Sequence, residues 1–139
     1  MKTAPQLRIA RPVTDIARAR AQYESGLGLA LLAHFEDHEG FDGVILGMPG
    51  APYHLEFTQC RHHAIAPAPT VEDLLVLYLP DADEWRAACA RALAAGFVPV
   101  PSFNPWWDRH GRSFADADGY RVVLANAAWA PQPRQGDES

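Results

Sequence analysis

The chain has 139 residues, 48% hydrophobic and 21% charged, which is enough for one globular domain with its own core. A formal net charge of -5 argues against a nucleic-acid backbone or an anionic membrane surface as the main partner. Two distant cysteines make neither a disulfide framework nor a zinc site, and no apolar signal segment is visible, so we expect a cytoplasmic protein.

The first part of the chain predicts the order β-α-β-β-β. A strand at residues 7–12 precedes a helix that Thr14 or Asp15 can cap, and apolar residues then recur at spacings of three and four. Gly28 closes this helix. Three further strands are predicted, at residues 29–36, 43–47 and 53–58.

The strand at residues 53–58 has one polar face. His54, Glu56 and Thr58 project from one side, and the apolar residues between them project from the other. The apolar side belongs to a core. The polar side is typical of a strand that lines a cleft.

The second part of the chain repeats this order after a linker at residues 60–72. A helix with an apolar stripe is predicted at 84–95, and residues 116–119 predict a tight hairpin turn. The strands of this part are predicted at residues 74–79, 97–100, 111–115 and 120–126. Residues 127–139 form a polar tail that we expect to be mobile.

The internal repeat determines the predicted fold class. Segments 7–59 and 73–126 predict a single α+β domain of two tandem βαβββ modules. We expect the modules to form a curved mixed sheet around a cleft, with the helices outside.

The sequence resembles the vicinal oxygen chelate superfamily, the group of glyoxalases, bleomycin-resistance proteins and extradiol dioxygenases. The resemblance covers residues 7–126, and the hairpin Asp116-Ala117-Asp118-Gly119 is similar to that family's terminal Asp-Pro-Asp-Gly turn. The other stretches that carry it are Pro12-Val13-Thr14-Asp15-Ile16, Tyr23 to Leu29 and His54-Leu55-Glu56-Phe57.

The resemblance also implies where a metal would bind. Metal-dependent members place ligands at four strand positions, which fall here at Arg8, Glu56, Leu74 and Val123. Only Glu56 is a metal ligand by chemistry, since arginine is a cation that cannot be deprotonated. We therefore expect no metal cofactor, although a cluster of His54, Glu56 and His110 stays open.

The cleft implied by the resemblance has other candidate residues. If Arg8 and Glu56 lie on neighbouring strands they can form an ion pair, and alternation then points Tyr78 and Arg121 inward. The pair has two interpretations. It either satisfies two charges structurally, or Arg8 or Arg121 holds a carboxylate or phenolate of a ligand by a charge-assisted fork.

A long aromatic segment at residues 101–110 is predicted to be a loop over the binding site. Trp106 and Trp107 can stack on a planar ligand, while Asp108 and His110 offer an acid and a base. The alternative is that one tryptophan fills the module interface and that Asp108 pairs with Arg109.

These observations predict a small-molecule binding protein of the glyoxalase and bleomycin-resistance type that holds an aromatic or hydrophobic ligand. The alternative is a lyase, isomerase or dioxygenase-like enzyme in which Glu56 acts with His54 or His110. A third and weaker interpretation is a dimerisation module, and a homodimer fits any of the three.

Overall fold

The computed structural model describes residues 4–133, so the predicted tail at 127–139 lies partly outside the described residues. The predicted α+β fold of two tandem βαβββ modules is confirmed. The first module consists of β1 (Leu7–Pro12), α1 (Ile16–Leu27), β2 (Ala30–His38), β3 (Phe41–Gly47) and β4 (Tyr53–Cys60). No helix within residues 4–133 is long and apolar enough to cross a membrane.

Local signals set the ends of α1. The side chain of Asp15 accepts a hydrogen bond from the backbone N–H of Arg18, which satisfies one of the free donors of the first turn. Gly28 adopts a left-handed conformation with a φ of 72°, and its N–H bonds to the carbonyl of Glu24. The helix therefore begins and ends where the sequence predicts.

The second module contains one element that was predicted as a loop. Its elements are β5 (Leu74–Tyr78), α2 (Ala82–Ala94), β6 (Val98–Val100), α3 (Pro105–His110), β7 (Gly111–Ala115) and β8 (Arg121–Ala125). In α3, Asn104 caps the backbone N–H of Trp106 at 3.0 Å, and proline occupies the first helical position. Both signals are in the sequence, but six residues are too few to show a helical period.

The strands form two separate sheets, in the orders β1-β4-β3-β2 and β5-β8-β7-β6. In each sheet the first strand pairs in parallel with the last strand of its module, and the other pairs are antiparallel. No strand of one sheet pairs with a strand of the other within residues 4–133. Strands β1 and β5 therefore both lie at sheet edges.

The modules meet through their helices. Helix α1 packs on β3 and β4, α2 packs on β8, and the two helices contact each other. The ring of Tyr23 on α1 lies edge-on to Phe57 of the first module, at 4.8 Å, and to Phe97 of the second, at 5.3 Å. One apolar core thus spans both modules. The outer face of each sheet, opposite its helix, points away from this core.

Candidate functional site

The outer face of the first sheet carries the polar residues that the sequence singled out. Leu55 and Phe57 are buried in the core, so the alternation along β4 turns His54 and Glu56 to the outer face. Arg8 of β1 is the register partner of His54. Its side chain therefore leaves the sheet on the same face as both residues.

Arg8 joins this face into one cluster, which we call the Arg8 cluster (Arg8, His54 and Glu56). Its Nε donates to Nε2 of His54 at 2.8 Å, and its Nη1 lies 3.4 Å from Oε2 of Glu56. Because the Nε of arginine can only donate, Nε2 of His54 is the acceptor of this hydrogen bond. The ion pair expected between Arg8 and Glu56 is present.

The four metal-ligand positions implied by the resemblance do not fit a divalent ion. Arg8 is a permanent cation, and the side chains of Leu74 and Val123 have no donor atom. Val123 is also completely buried. Across residues 4–133, no three side chains of the His, Cys, Asp or Glu type are grouped so as to hold a metal.

Aromatic residues occupy the second sheet and α3, and we call them the aromatic surface (Tyr78, Trp106, Trp107 and His110). Trp106 is 50% exposed, and the centre of its ring lies 4.0 Å from that of His110. The ring of Trp107 approaches that of Tyr78 at 6.5 Å, nearly edge-on. The two tryptophans of α3 thus make different contacts, and Trp106 has the larger free face.

Asp108 and Arg121 hold the segment before α3 in place. The carboxylate of Asp108 accepts hydrogen bonds from the backbone N–H and the hydroxyl of Ser102, and that hydroxyl lies 2.5 Å from the hydroxyl of Ser113. Arg121 donates to the carbonyl of Pro101 at 3.0 Å. Asp108 and Arg121 thus both make hydrogen bonds within the second module, and the partner of Asp108 is Ser102.

The Arg8 cluster and the aromatic surface are separate. Among residues 4–133, no hydrogen bond, ion pair or ring contact links a member of one to a member of the other. The cluster of His54, Glu56 and His110 that the sequence left open is therefore not assembled. The Arg8 cluster lies on the outer face of the first sheet, and the aromatic surface lies on the outer side of the second sheet. Helices α1 and α2 meet between the two sheets.

Sequence reasoning missed a buried polar cluster at the module interface. The hydroxyl of Tyr23 donates to Oδ2 of Asp116 at 2.7 Å, and Oδ1 of Asp116 accepts the backbone N–H groups of Asp118 and Tyr120 at 2.9 Å each. The guanidinium of Arg11 lies over the ring of Tyr120 at 4.6 Å. The hairpin at 116–119 signalled a turn, but not that its first aspartate reaches the other module.

Burial dominates the electrostatics of this interface. It raises the pKa of Asp116 above its ordinary value, although the hydrogen bonds from Tyr23 and from two backbone N–H groups lower that pKa in part. Burial, followed by the nearby charge of Asp116, raises the pKa of Tyr23 far above its ordinary value. Tyr23 is therefore a permanent hydrogen-bond donor to Asp116 at physiological pH.

Comparison with known proteins gives matches along almost the whole chain. The family model described as the YycE-like N-terminal domain matches residues 7–58, and the YycE-like C-terminal domain matches residues 72–126. An uncharacterized protein YycE of Bacillus subtilis (strain 168) is 42% identical over 124 residues, which is 89% of each chain.

Solved structures agree with these matches. The crystal structure of a YycE protein from Bacillus subtilis, a protein of unknown function, has a TM-score of 0.82 at 40% identity and covers 96% of this chain and 94% of that one. An antibiotic-binding protein, TnmS3 from Streptomyces sp. CB03234, has a TM-score of 0.59 at 26% identity, with coverage of 89% and 95%. Glyoxalase I from Leishmania major shares the fold, with a TM-score of 0.69 at 19% identity and coverage of 90% and 88%.

Proposed function

The chain belongs to the YycE-like family and has the vicinal oxygen chelate fold, and from this premise we propose that it binds a small aromatic or hydrophobic molecule without a metal ion. We place this activity in the cytoplasm, where Cys60 and Cys89 stay as free thiols.

The half-exposed ring of Trp106 is the observation that carries this proposal. The ring of Trp106 is tilted by 39° against that of His110 at 4.0 Å, and its exposed half is available to a planar ligand. Tyr78 and Trp107 extend the aromatic surface beside it. The relationship to TnmS3, an antibiotic-binding protein at 26% identity, supports a ligand of drug-like size.

We further propose that the binding site is completed by a second copy of the chain. Small-molecule sites are concave and enclose most of their ligand, whereas the aromatic surface of one chain is open. The edge strands β1 and β5 flank an apolar groove of about 630 Å³. A second copy that docks along these edges would cover Leu7 and Tyr53, and would bring its Arg8 cluster towards the aromatic surface.

The dimer is tested by a charge placed on the edge of β1. We expect the protein to sediment as a dimer, and Leu7→Glu to sediment as a monomer, because a carboxylate would be buried at the interface without a partner. Val98→Glu is the matched control, since Val98 on the edge strand β6 is 58% exposed and Leu7 is 57% exposed. Identical sedimentation of the two variants would contradict this arrangement.

The ligand site is tested with a panel of planar aromatic antibiotics, with thermal stability as the measurement. We expect at least one compound to raise the melting temperature of the protein, and Trp106→Ala to weaken its binding by about tenfold, since loss of one aromatic stacking partner costs about 0.5 to 1.5 kcal/mol beyond the buried area.

Trp129→Ala serves as the matched control for the ligand test. Trp129 is 68% exposed and lies outside α3, so its removal should leave binding unchanged. Fosfomycin, which has no aromatic ring, tests whether stacking is required. The proposal fails if no compound stabilises the protein, or if both tryptophan variants bind equally well.

The alternative of an enzyme that uses Glu56 with His54 or His110 has weaker support. A general base needs a free lone pair within reach of the substrate proton. Arg8 already occupies Nε2 of His54 and lies against Glu56, and His110 packs on Trp106 of helix α3 in the other module. These contacts restrict His54, Glu56 and His110 as bases, which favours the binding function over the enzyme.

A further inference from the structure

The guanidinium of Arg8 lies between two side chains that are typical metal ligands. Nε2 of His54 is 2.8 Å from its Nε, and Oε2 of Glu56 is 3.4 Å from its Nη1. Imidazole nitrogen and carboxylate oxygen are donor atoms that Zn²⁺ and Co²⁺ bind in proteins. Here both donor atoms face a fixed organic cation.

We propose that Arg8 acts as an internal cation that takes the place of a metal ion between His54 and Glu56, and that the two residues form a latent metal site that Arg8 keeps closed. The guanidinium stays charged at any physiological pH, and it repels a divalent cation placed a few ångströms away, although the solvent around this half-exposed side chain screens part of the repulsion. A divalent ion would also have to break the hydrogen bond from Arg8 to His54.

Lack of solvent access does not explain why His54 and Glu56 would bind no metal ion. The side chain of Arg8 is 46% exposed and that of Glu56 is 16% exposed, so an ion could reach this face of the sheet. Glu56 and His54 are two residues apart on β4 and project together. The occupied donor atoms and the positive charge of Arg8 therefore oppose a metal ion here, and among residues 4–133 no third side chain of the ligand type joins His54 and Glu56.

The strand register makes the inference testable by a single substitution. Because residue 8 is the register partner of His54, a histidine at residue 8 would lie beside His54 on the same face. Arg8→His would then offer two imidazoles and one carboxylate, which is the ligand set of many zinc enzymes. The same change removes the competing charge.

The experiment titrates the purified protein with Co²⁺ and follows the visible absorption of the bound ion together with calorimetry. We expect Arg8→His to bind Co²⁺ at least about tenfold more tightly than the wild-type protein, because a like charge is replaced by a ligand. Its melting temperature should rise with Co²⁺ concentration. The double variant Arg8→His with Glu56→Gln should lose most of this gain.

Arg86→His is the matched control, because Arg86 is an exposed arginine on α2 that pairs with Asp83 of the same helix. A folded Arg8→His protein that binds Co²⁺ no better than Arg86→His would overturn the proposal. So would a wild-type protein that binds Co²⁺ tightly and loses the ion in Glu56→Gln. This inference deepens the metal-free part of the proposed function, but its measurement uses no organic ligand, so it can fail independently of the Trp106 test.

Discussion

Replacing Tyr23 by alanine is expected to lower the free energy of unfolding by about 3 to 5 kcal/mol, the range found when large aromatic residues are removed from a core. Tyr23 is completely buried, and its ring contacts Phe57 and Phe97 from different modules. The substitution would open a cavity at the point where the modules meet. Urea unfolding, extrapolated linearly to water, measures the effect.

The milder variant Tyr23→Phe separates the contribution of the hydroxyl to stability from that of the ring. It keeps the aromatic packing but leaves the buried carboxylate of Asp116 without one donor, which should cost about 1 to 3 kcal/mol. Tyr53→Phe is the matched control, because the hydroxyl of Tyr53 makes no hydrogen bond among residues 4–133, so its loss should change stability by less than about 0.5 kcal/mol. Equal effects of the two substitutions would show that the bond from Tyr23 to Asp116 contributes nothing.

The wild-type protein and the variant Tyr23→Phe should differ in how the free energy of unfolding depends on pH. The pKa of Asp116 is raised in the folded protein, mainly by burial, so the folded state binds more protons than the unfolded state above the ordinary aspartate pKa. The contribution of Asp116 to stability is therefore fully present below that ordinary value and is lost as the pH rises through the folded pKa.

In Tyr23→Phe, the pH range over which Asp116 loses its contribution to stability should extend to higher pH. The hydrogen bond from Tyr23 lowers the pKa of Asp116, so its removal raises that pKa further, and stability should keep falling to a higher pH than in the wild-type protein. Unfolding curves at a series of pH values from 3 upwards measure the difference. Parallel pH profiles would be the contrary result.

Replacing Gly111 by alanine is expected to destabilise the protein by about 1 to 3 kcal/mol, the usual cost of forcing extra atoms into a packed site. A Cβ at this position would lie 2.2 Å from the carbonyl oxygen of Leu124 and 2.8 Å from Cα of Ala125. Both atoms belong to the backbone of β8, which pairs with β7 here. The strand cannot move away without breaking that pairing.

Gly47→Ala is the matched control for Gly111→Ala. Gly47 also lies on a paired strand, but a Cβ there would approach no atom closer than 3.1 Å. Its substitution should cost clearly less, as measured by urea unfolding. If the two variants prove equally stable, the close approach of Gly111 to β8 does not limit the side chain at residue 111.

The sequence by itself determined every element of the described residues except α3, because the signals of the others are local. Alternation of apolar and polar residues predicted β4 and its polar face, Asp15 and Gly28 predicted the ends of α1, and the repeat of the element order predicted the two modules. Helix α3 was missed because its six residues span fewer than two turns, and the aromatic content of the segment was interpreted as a loop.

Only the tertiary structure decided how the candidate residues combine. Arg8 reaches His54 across 46 residues and Tyr23 reaches Asp116 across 93, and neither separation leaves a local pattern. The packing of α1 on α2 likewise places the Arg8 cluster and the aromatic surface on different outer faces. The physical reason is that strand faces follow from a period of two along the chain, whereas the contact between modules depends on the shapes of two surfaces distant in sequence.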